Sequence, residues 1–567
     1  MKKIGLMVLF FSLLLHTGCM AAPAAETEQS EIFTHRDLDG SYRAEDCTRI
    51  LLSGDRIQVE GSGALVEGRV LSIHAPGSYL LSGTLENGCI LVDVEKDEKV
   101  QLVLNGVSIC SEDSAPLYIR QADKVFVTLA ENTENALTNG GSFAGAPDSG
   151  VDAVLFSRED LTLNGSGSLK ILSPAGHGIV SKDSLRVTGG SLTVDAASHG
   201  LSANDEISIC TAEFNVQAGK DGIHSENEDD TEKGFVLVES GSFAITAAGD
   251  GIRASASMEI RDGVFDLCCG GGSENDEEKT SDFPGGFGPG PHGRGQHPPM
   301  MEPAYEEETD SVSSKGLKAA SLQISGGSFS LDCADDALHS DTSMTVSGGS
   351  FAIRSGDDAL HADESLSISG GTFDIADCYE GLEALHLEIS GGELQLCAED
   401  DGLNAAGGMD QSGFGGPRGG DPFGGGSQGS IVISGGTLDI TASGDGLDAN
   451  GSIEITGGFT TVCGPSAGDT ATLDYDTTAV IRGGGFFGTG GAGMAQTFSE
   501  ATQGLLALRV GQQSAGTKIE IYNQQGETIL SRTPALPYAV VIVSSPELTA
   551  GESYTVMVGE SSGSFSA

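Results

Sequence analysis

The sequence contains no tryptophan and 9 tyrosines, and its 29 Lys and Arg residues stand against 82 Asp and Glu. A formal charge of −53 excludes a binder of nucleic acid or anionic lipid, because such a surface repels phosphate and attracts cations. The lack of tryptophan argues against sugar recognition by ring stacking. Beyond the N-terminal segment no stretch reaches the ~18 consecutive apolar residues of a membrane span. No C-x-x-C pair offers a zinc site. Hydrophobic content of 38 % disfavours a helical bundle or a large α/β core. What the chain has is glycine, 84 of 567 residues, about twice the usual ~7 %, and apolar residues recurring at regular intervals.

The N-terminus reads as a targeting segment. Lys2 and Lys3 precede the apolar run Ile4 to Leu15, followed by His16-Thr17-Gly18-Cys19. Gly before Cys after an apolar run resembles a bacterial lipoprotein signal, so residues 1–19 are expected to be the signal and Cys19 the acylated residue. His16 departs from the aliphatic residue usual at that place, which leaves cleavage after Ala22-Pro23-Ala24 as the alternative. Residues 20–44 then form a linker. The expectation is export and lipid anchoring at the cell surface, with secretion as the alternative and no other membrane contact. The remaining cysteines do not read as a disulfide framework. Cys269 and Cys333 take a place that other repeats fill with Ala247, Ser355, Ala398 or Ala442, which marks a small buried slot.

The repeat is a unit of about 22 residues. Clear copies run Ile324-Ser-Gly-Gly-Ser-Phe-Ser-Leu-Asp-Cys-Ala-Asp-Asp-Ala-Leu-His339 and Val346-Ser-Gly-Gly-Ser-Phe-Ala-Ile-Arg-Ser-Gly-Asp-Asp-Ala-Leu-His361. A Gly or Ala recurs at positions 178, 200, 222, 251, 316, 337, 359, 381, 402 and 446. Alternation within units (Phe329 and Leu331, Phe351 and Ile353, Phe373 and Ile375) is that of strands, and 22 residues suit three short strands joined by glycine-rich corners. One such unit cannot bury its inner face alone, so units must stack. The predicted fold is all-β: a right-handed parallel β-helix over residues 45–496, with coils ~4.8 Å apart. Its first coils are irregular. Low-complexity Gly/Pro insertions at about 270–310 and 407–429 interrupt it, and their Phe283, Phe287, Tyr305, Phe414 and Phe423 are available to sugar faces or have no fixed role. Residues 497–567 keep alternation without the repeat, as a small β cap should.

Several blocks carry a family resemblance: Ser114-Ala-Pro-Leu-Tyr-Ile, Ala122-Asp-Lys-Val, Leu129-Ala-Glu-Asn-Thr-Glu-Asn-Ala-Leu-Thr138, Phe156-Ser-Arg-Glu-Asp-Leu-Thr-Leu-Asn-Gly-Ser-Gly167, Gly219-Lys-Asp-Gly-Ile and Gly249-Asp-Gly-Ile-Arg-Ala254. They resemble the bacterial exported carbohydrate-binding domain-containing proteins, from about Ile50 to Gly559. The resemblance implies a right-handed parallel β-helix that binds calcium and acidic or cellulosic polysaccharide without catalysis.

Two constellations could carry function. Asp221, Asp250, Asp336, Asp358, Glu380, Asp401 and Asp445 share one corner of the coil, some preceded by a second acid (Asp335, Asp357, Asp400). Carboxylates on neighbouring coils ~5 Å apart repel by roughly 3 kcal/mol at an effective dielectric near 20. Ca²⁺, which takes six to eight hard oxygens, is the expected cofactor; the structural alternative is that each Asp accepts a backbone N–H at its corner. The acidic loop Glu226-Asn-Glu-Asp-Asp230 is a second calcium candidate or a solvated charge run. In the strand after that corner, the position expected to face out reads Ser202, His224, Arg253, Lys318, His339, His361, Glu383, Asn404 and Asp448. His224, Arg253, Lys318, His339 and His361 form a basic strip that either contacts an acidic glycan or neutralises the corner acids. The expected function is non-catalytic, calcium-dependent binding of polyuronate or another plant cell-wall glycan by a monomer. The alternatives are a calcium-dependent polysaccharide lyase, with Arg253 or Lys318 as base, and an adhesin or stalk without glycan specificity.

Overall fold

The computed structural model describes residues 32–227, 229–275, 313–405, 428–466 and 470–567. Cys19 and most of both Gly/Pro insertions lie outside the described residues. The chain is all-β. Apart from the four-residue helix His35–Leu38 and a single 3₁₀ turn, the described residues form strands, turns and irregular links. Long parallel strands stack into one 44-stranded sheet system, and a separate four-stranded sheet lies near the C-terminus.

The pairing repeats at the period of the sequence. Strands Leu338–Val346 and Ser350–Ser355 each pair with their counterparts one unit before and one unit after. Leu338 pairs with Leu360, Met344 with Leu366, and Phe351 with Phe373, all in parallel register. Stacking in register places like residues over like. Phe214, Phe243, Phe265, Phe329, Phe351 and Phe373 form one continuous inner stack, with ring centroids 4.6–5.0 Å apart and planes nearly parallel. The small slot is also a ladder: Ala247, Cys269, Cys333 and Ser355 pair in sequence, all buried. All ten cysteines of the described residues are free.

The corners explain the glycines. Gly349, in the Ser-Gly-Gly corner, has φ +106°, where a side chain would be strained. At the opposite corner a Cβ on Gly200 would lie 2.4 Å from the Val216 methyl and 2.6 Å from the Gly222 carbonyl, so that turn is closed to anything larger.

The segments outside the repeat pack against it on its side and at its C-terminal end. Residues 32–44, within the stretch expected as a linker, lie against the outer surface of the early coils. Asp37 is fully buried there, accepting from Lys124 Nζ at 2.7 Å and from the Thr162 hydroxyl at 2.6 Å. At the other end, Tyr538–Ser545 pairs antiparallel with the last coil strand, Gly485–Gly490, and with Gly504–Gln513. Ile519–Tyr522, Thr528–Arg532, Ser553–Val558 and Ser561–Ser566 complete the tail as an antiparallel sheet.

Candidate functional site: the polar corner and its outer ladder

The corner residues form a backbone ladder. The amide of each recurrent Gly or Ala donates to the carbonyl of the preceding corner residue one coil on: Gly200 to Asp221, Gly222 to Asp250, Gly251 to Lys315, Gly316 to Asp336, Ala337 to Asp358, Ala359 to Glu380, Gly381 to Asp401 and Gly402 to Asp445, all at 2.9–3.0 Å. The predicted carboxylates therefore stack. The ladder also contains His199 and Lys315, which the sequence reading passed over. His177 stands one coil before His199. All three directly precede a recurrent glycine, at 178, 200 and 316, and position rather than residue type would have found them.

Asp221 and Asp336 divide their oxygens between two tasks, and Asp250 and Asp358 each show one of them. Oδ1 of Asp221 accepts the Asp250 amide at 2.9 Å, Oδ1 of Asp250 the Lys315 amide at 2.9 Å, and Oδ1 of Asp336 the Asp358 amide at 3.1 Å. The second oxygen meets a histidine three residues on: Asp221 with His224 Nδ1 at 2.6 Å, Asp336 with His339 at 2.8 Å, Asp358 with His361 at 2.9 Å. Each ring's Nε2 faces a further acid two residues later, Glu226 at 2.9 Å, Asp341 at 3.1 Å and Asp363 at 3.3 Å. The pattern Asp-x-x-His-x-Asp/Glu, three times in the sequence, is thus one structural unit.

The outer ladder keeps its expected register, from Ser202 to His224, Arg253, Lys318, His339, His361, Glu383, Asn404 and Asp448. Its exposure differs from expectation. His224, His339 and His361 are buried at 8, 4 and 1 % exposure, because the acids before and after each ring fold over it. Arg253 and Lys318 are partly exposed. Arg253 lies 3.7 Å from Glu226 and 3.9 Å from Asp250, and Lys318 Nζ reaches the Ser313 hydroxyl at 3.4 Å.

Charge is divided along the axis. In the middle coils Lys315 Nζ lies 2.9 Å from Asp335 and 2.6 Å from Asp336. Burial opposes ionisation of Asp336, but Lys315 and His339 outweigh it and hold the carboxyl well below its usual range. Burial likewise opposes the charged form of His339 and His361, yet their carboxylate neighbours raise both above the ordinary histidine value. Farther along, Glu380 accepts from Asn404 Nδ2 at 2.8 Å, and Asp400 lies beside the Tyr379 hydroxyl. Oxygens of Asp401, Asp445 and Asp448 come within 4.8 Å of one another. Burial, then Asp445, pushes Asp401 up to about 8 and Asp448 up to about 7. Asp335, Asp336 and Asp357 form another close trio, with Lys315 against it. The Asp401–Asp445–Asp448 trio can hold a hard cation by oxygen, and it includes Asp448, which the spacing places only on the outer ladder.

Toward the N-terminal coils the same face hollows into a cavity of about 350 Å³ lined by His177, Lys182, His199, Ser202, Asn204 and His224. His177 stacks on His199 at 5.1 Å, and His199 lies tilted against His224 at 4.3 Å. Burial, then His199, pushes His177 down to about 3, so its imidazole is neutral at ordinary pH.

Stacked parallel strands with a polar ladder along one corner define a repeat-built β protein whose functional groups are presented in rows. Residues 67–359 and 357–485 match the model of the carbohydrate-binding domain-containing protein family, and the chain belongs to that family. A carbohydrate-binding domain-containing protein of Acetivibrio thermocellus is 39 % identical over 273 residues, covering 48 % of this chain and 92 % of the relative. A solved structure described as that of the polysaccharide lyase-like protein from C. thermocellum, a gadolinium derivative, is 35 % identical with a TM-score of 0.39, over 40 % of this chain and 92 % of the other.

Proposed function

We propose that this protein is a non-catalytic binder of acidic polysaccharide that uses calcium to bridge its carboxylates to those of the glycan. Family membership makes carbohydrate the ligand class. The observation that supports the finer reading is the Asp401–Asp445–Asp448 trio: carboxylate oxygens within 4.8 Å of one another, on the face that bears the polar ladder. A hard divalent cation suits such a group of oxygens. It keeps coordination positions for an external carboxylate, and so attaches a polyuronate to a chain of charge −53 that would otherwise repel it. In this reading the scaffold is a right-handed parallel β-helix, the hand favoured by parallel crossovers. It acts as a monomer at the cell surface, held by lipid on Cys19.

The test is binding to polygalacturonate with millimolar calcium and again with chelator. Binding that needs calcium, without release of ultraviolet-absorbing unsaturated product, supports the reading. Binding indifferent to chelator overturns the calcium bridge, and unsaturated product makes the protein a lyase.

A further inference from the structure

The histidine end of the corner differs chemically from the carboxylate end. We infer that His199, Asp221 and His224 form a site for a nitrogen-preferring divalent cation of the late first transition row, Zn²⁺ above all, separate from the oxygen-lined positions proposed for calcium. The inference goes beyond the glycan reading and does not depend on it.

The three residues offer one ligand atom each, all within 4.8 Å of one another. His199 Nδ1 accepts the Asp221 amide at 3.2 Å and lies 3.3 Å from Asp221 Oδ2; the second distance matches the ~3.3 Å edge of a tetrahedron with ~2.0 Å bonds to zinc, and a metal there takes the ring's lone pair from that amide. His224 Nδ1 lies 2.6 Å from the same oxygen, a hydrogen-bond distance. A metal takes the place of that proton, since both ligands bind deprotonated, and the pair opens by less than ~1 Å. Two imidazoles and one carboxylate are a donor set that calcium and magnesium do not favour and that zinc, nickel and copper do.

Two further observations point to a ligand. His224 Nε2 meets Glu226 Oε2 at 2.9 Å, an outer carboxylate that fixes the ring with Nδ1 toward Asp221, as outer acids do for metal-bound histidines. The cavity of about 350 Å³ opens on the same rings, leaving room for a fourth, external ligand. His177 Nδ1, buried and without a hydrogen-bond partner, lies in the wall of that cavity. Among the described residues two other trios contain histidine: in Asp336–His339–His361 the Lys315 Nζ occupies Asp336 at 2.6 Å, Asp358–His361–Glu383 offers one imidazole only, and neither lines the cavity.

The experiment titrates the full chain with Zn²⁺, and with Co²⁺ as a visible probe, in the presence of millimolar Ca²⁺. We expect one tightly held Zn²⁺ that calcium does not displace, and Co²⁺ absorption bands of a nitrogen-ligated, four- or five-coordinate ion. His199→Ala and His224→Ala should each weaken Zn²⁺ by more than the ~10–100-fold typical of losing an outer-shell partner, while His339→Ala leaves it unchanged. A second measurement on the unsubstituted chain covers variants that fail to fold: bound Zn²⁺ should shield His199 and His224 from carbethoxylation, read by peptide mass. No tight Zn²⁺, displacement by calcium, equal loss in His339→Ala, or both rings modified at full speed with Zn²⁺ bound would each overturn the assignment.

Discussion

At the scale of single residues, the corner is a row of carboxyls whose surroundings decide their protonation. Asp401 and Asp448 are raised from 3.8 to about 8 and about 7, by burial and then by Asp445. Folded chains therefore hold these protons more tightly than unfolded ones. Between about pH 4 and pH 8 the folded state binds more protons, so stability contributed by these groups falls as pH rises through that window. A cation that binds the ionised trio removes the penalty. In chelator, the melting temperature should decline from pH 5 to pH 8, and Asp448→Asn should flatten that decline. Added calcium should raise melting more at pH 8 than at pH 5. A calcium effect of equal size at both pH values would mean that the trio is not where calcium acts.

The same scale shows what the sequence made legible and what it did not. The carboxylate ladder and the register of the outer ladder followed from spacing, because parallel stacking turns every recurrent position into a row. The burial of His339 and His361 did not follow, since it depends on Asp341 and Asp363 turning back over the rings and on the acids of the next coil. His177, His199 and Lys315 escaped because the row was read as acids, although their places beside the recurrent glycines were visible.

At the scale of elements, the inner stack and the N-terminal segment lead to different expectations. Phe351 lies between Phe329 and Phe373, 4.6 Å from each, at 2 % exposure. Phe351→Ala removes both stacking partners from a site whose strands are held by neighbours on both sides and cannot collapse. A loss of about 3–5 kcal/mol is expected in denaturant unfolding; a loss under ~1 kcal/mol would mean the coils repack around the gap. The stack was legible because an aromatic after Ser-Gly-Gly recurs in the sequence. Residues 32–44 were not, because Asp37 finds its partners at Lys124 and Thr162, far along the chain. Burial opposes the charge on Asp37, but Lys124 and the hydroxyls of Thr162 and Thr34 outweigh it and lower the carboxyl. Its contribution is present near neutral pH and is lost as pH falls below the ordinary carboxylate range. Asp37→Ala leaves the Lys124 ammonium buried and unpaired, a change of the kind that costs about 3–5 kcal/mol. Limited proteolysis should then release residues 32–44 before the coils unfold; unchanged resistance would show that the segment is held by other contacts.

At the scale of the whole molecule, the charge of −53 sets a condition on any acidic ligand. The basic strip does not relieve it. His224, His339 and His361 are each enclosed by acids of their own coil, and Arg253 stands within 4 Å of Glu226 and Asp250. The strip is close to neutral with its own corner, so it offers a polyuronate little net attraction. In the proposed reading, bridging cations on the carboxylate trio supply the affinity, and that ranks two sets of variants. Asp401→Asn with Asp448→Asn should abolish the calcium-dependent part of polygalacturonate binding. Arg253→Ala with Lys318→Ala should reduce binding by only a fewfold, and that reduction should shrink as salt rises, because exposed charges act through a screened field. The comparison is made at fixed calcium with melting followed in parallel, so that lost binding is separated from lost fold. If the basic pair removes binding and the acidic pair does not, the polyanion is held directly by Arg253 and Lys318, and the calcium bridge is wrong.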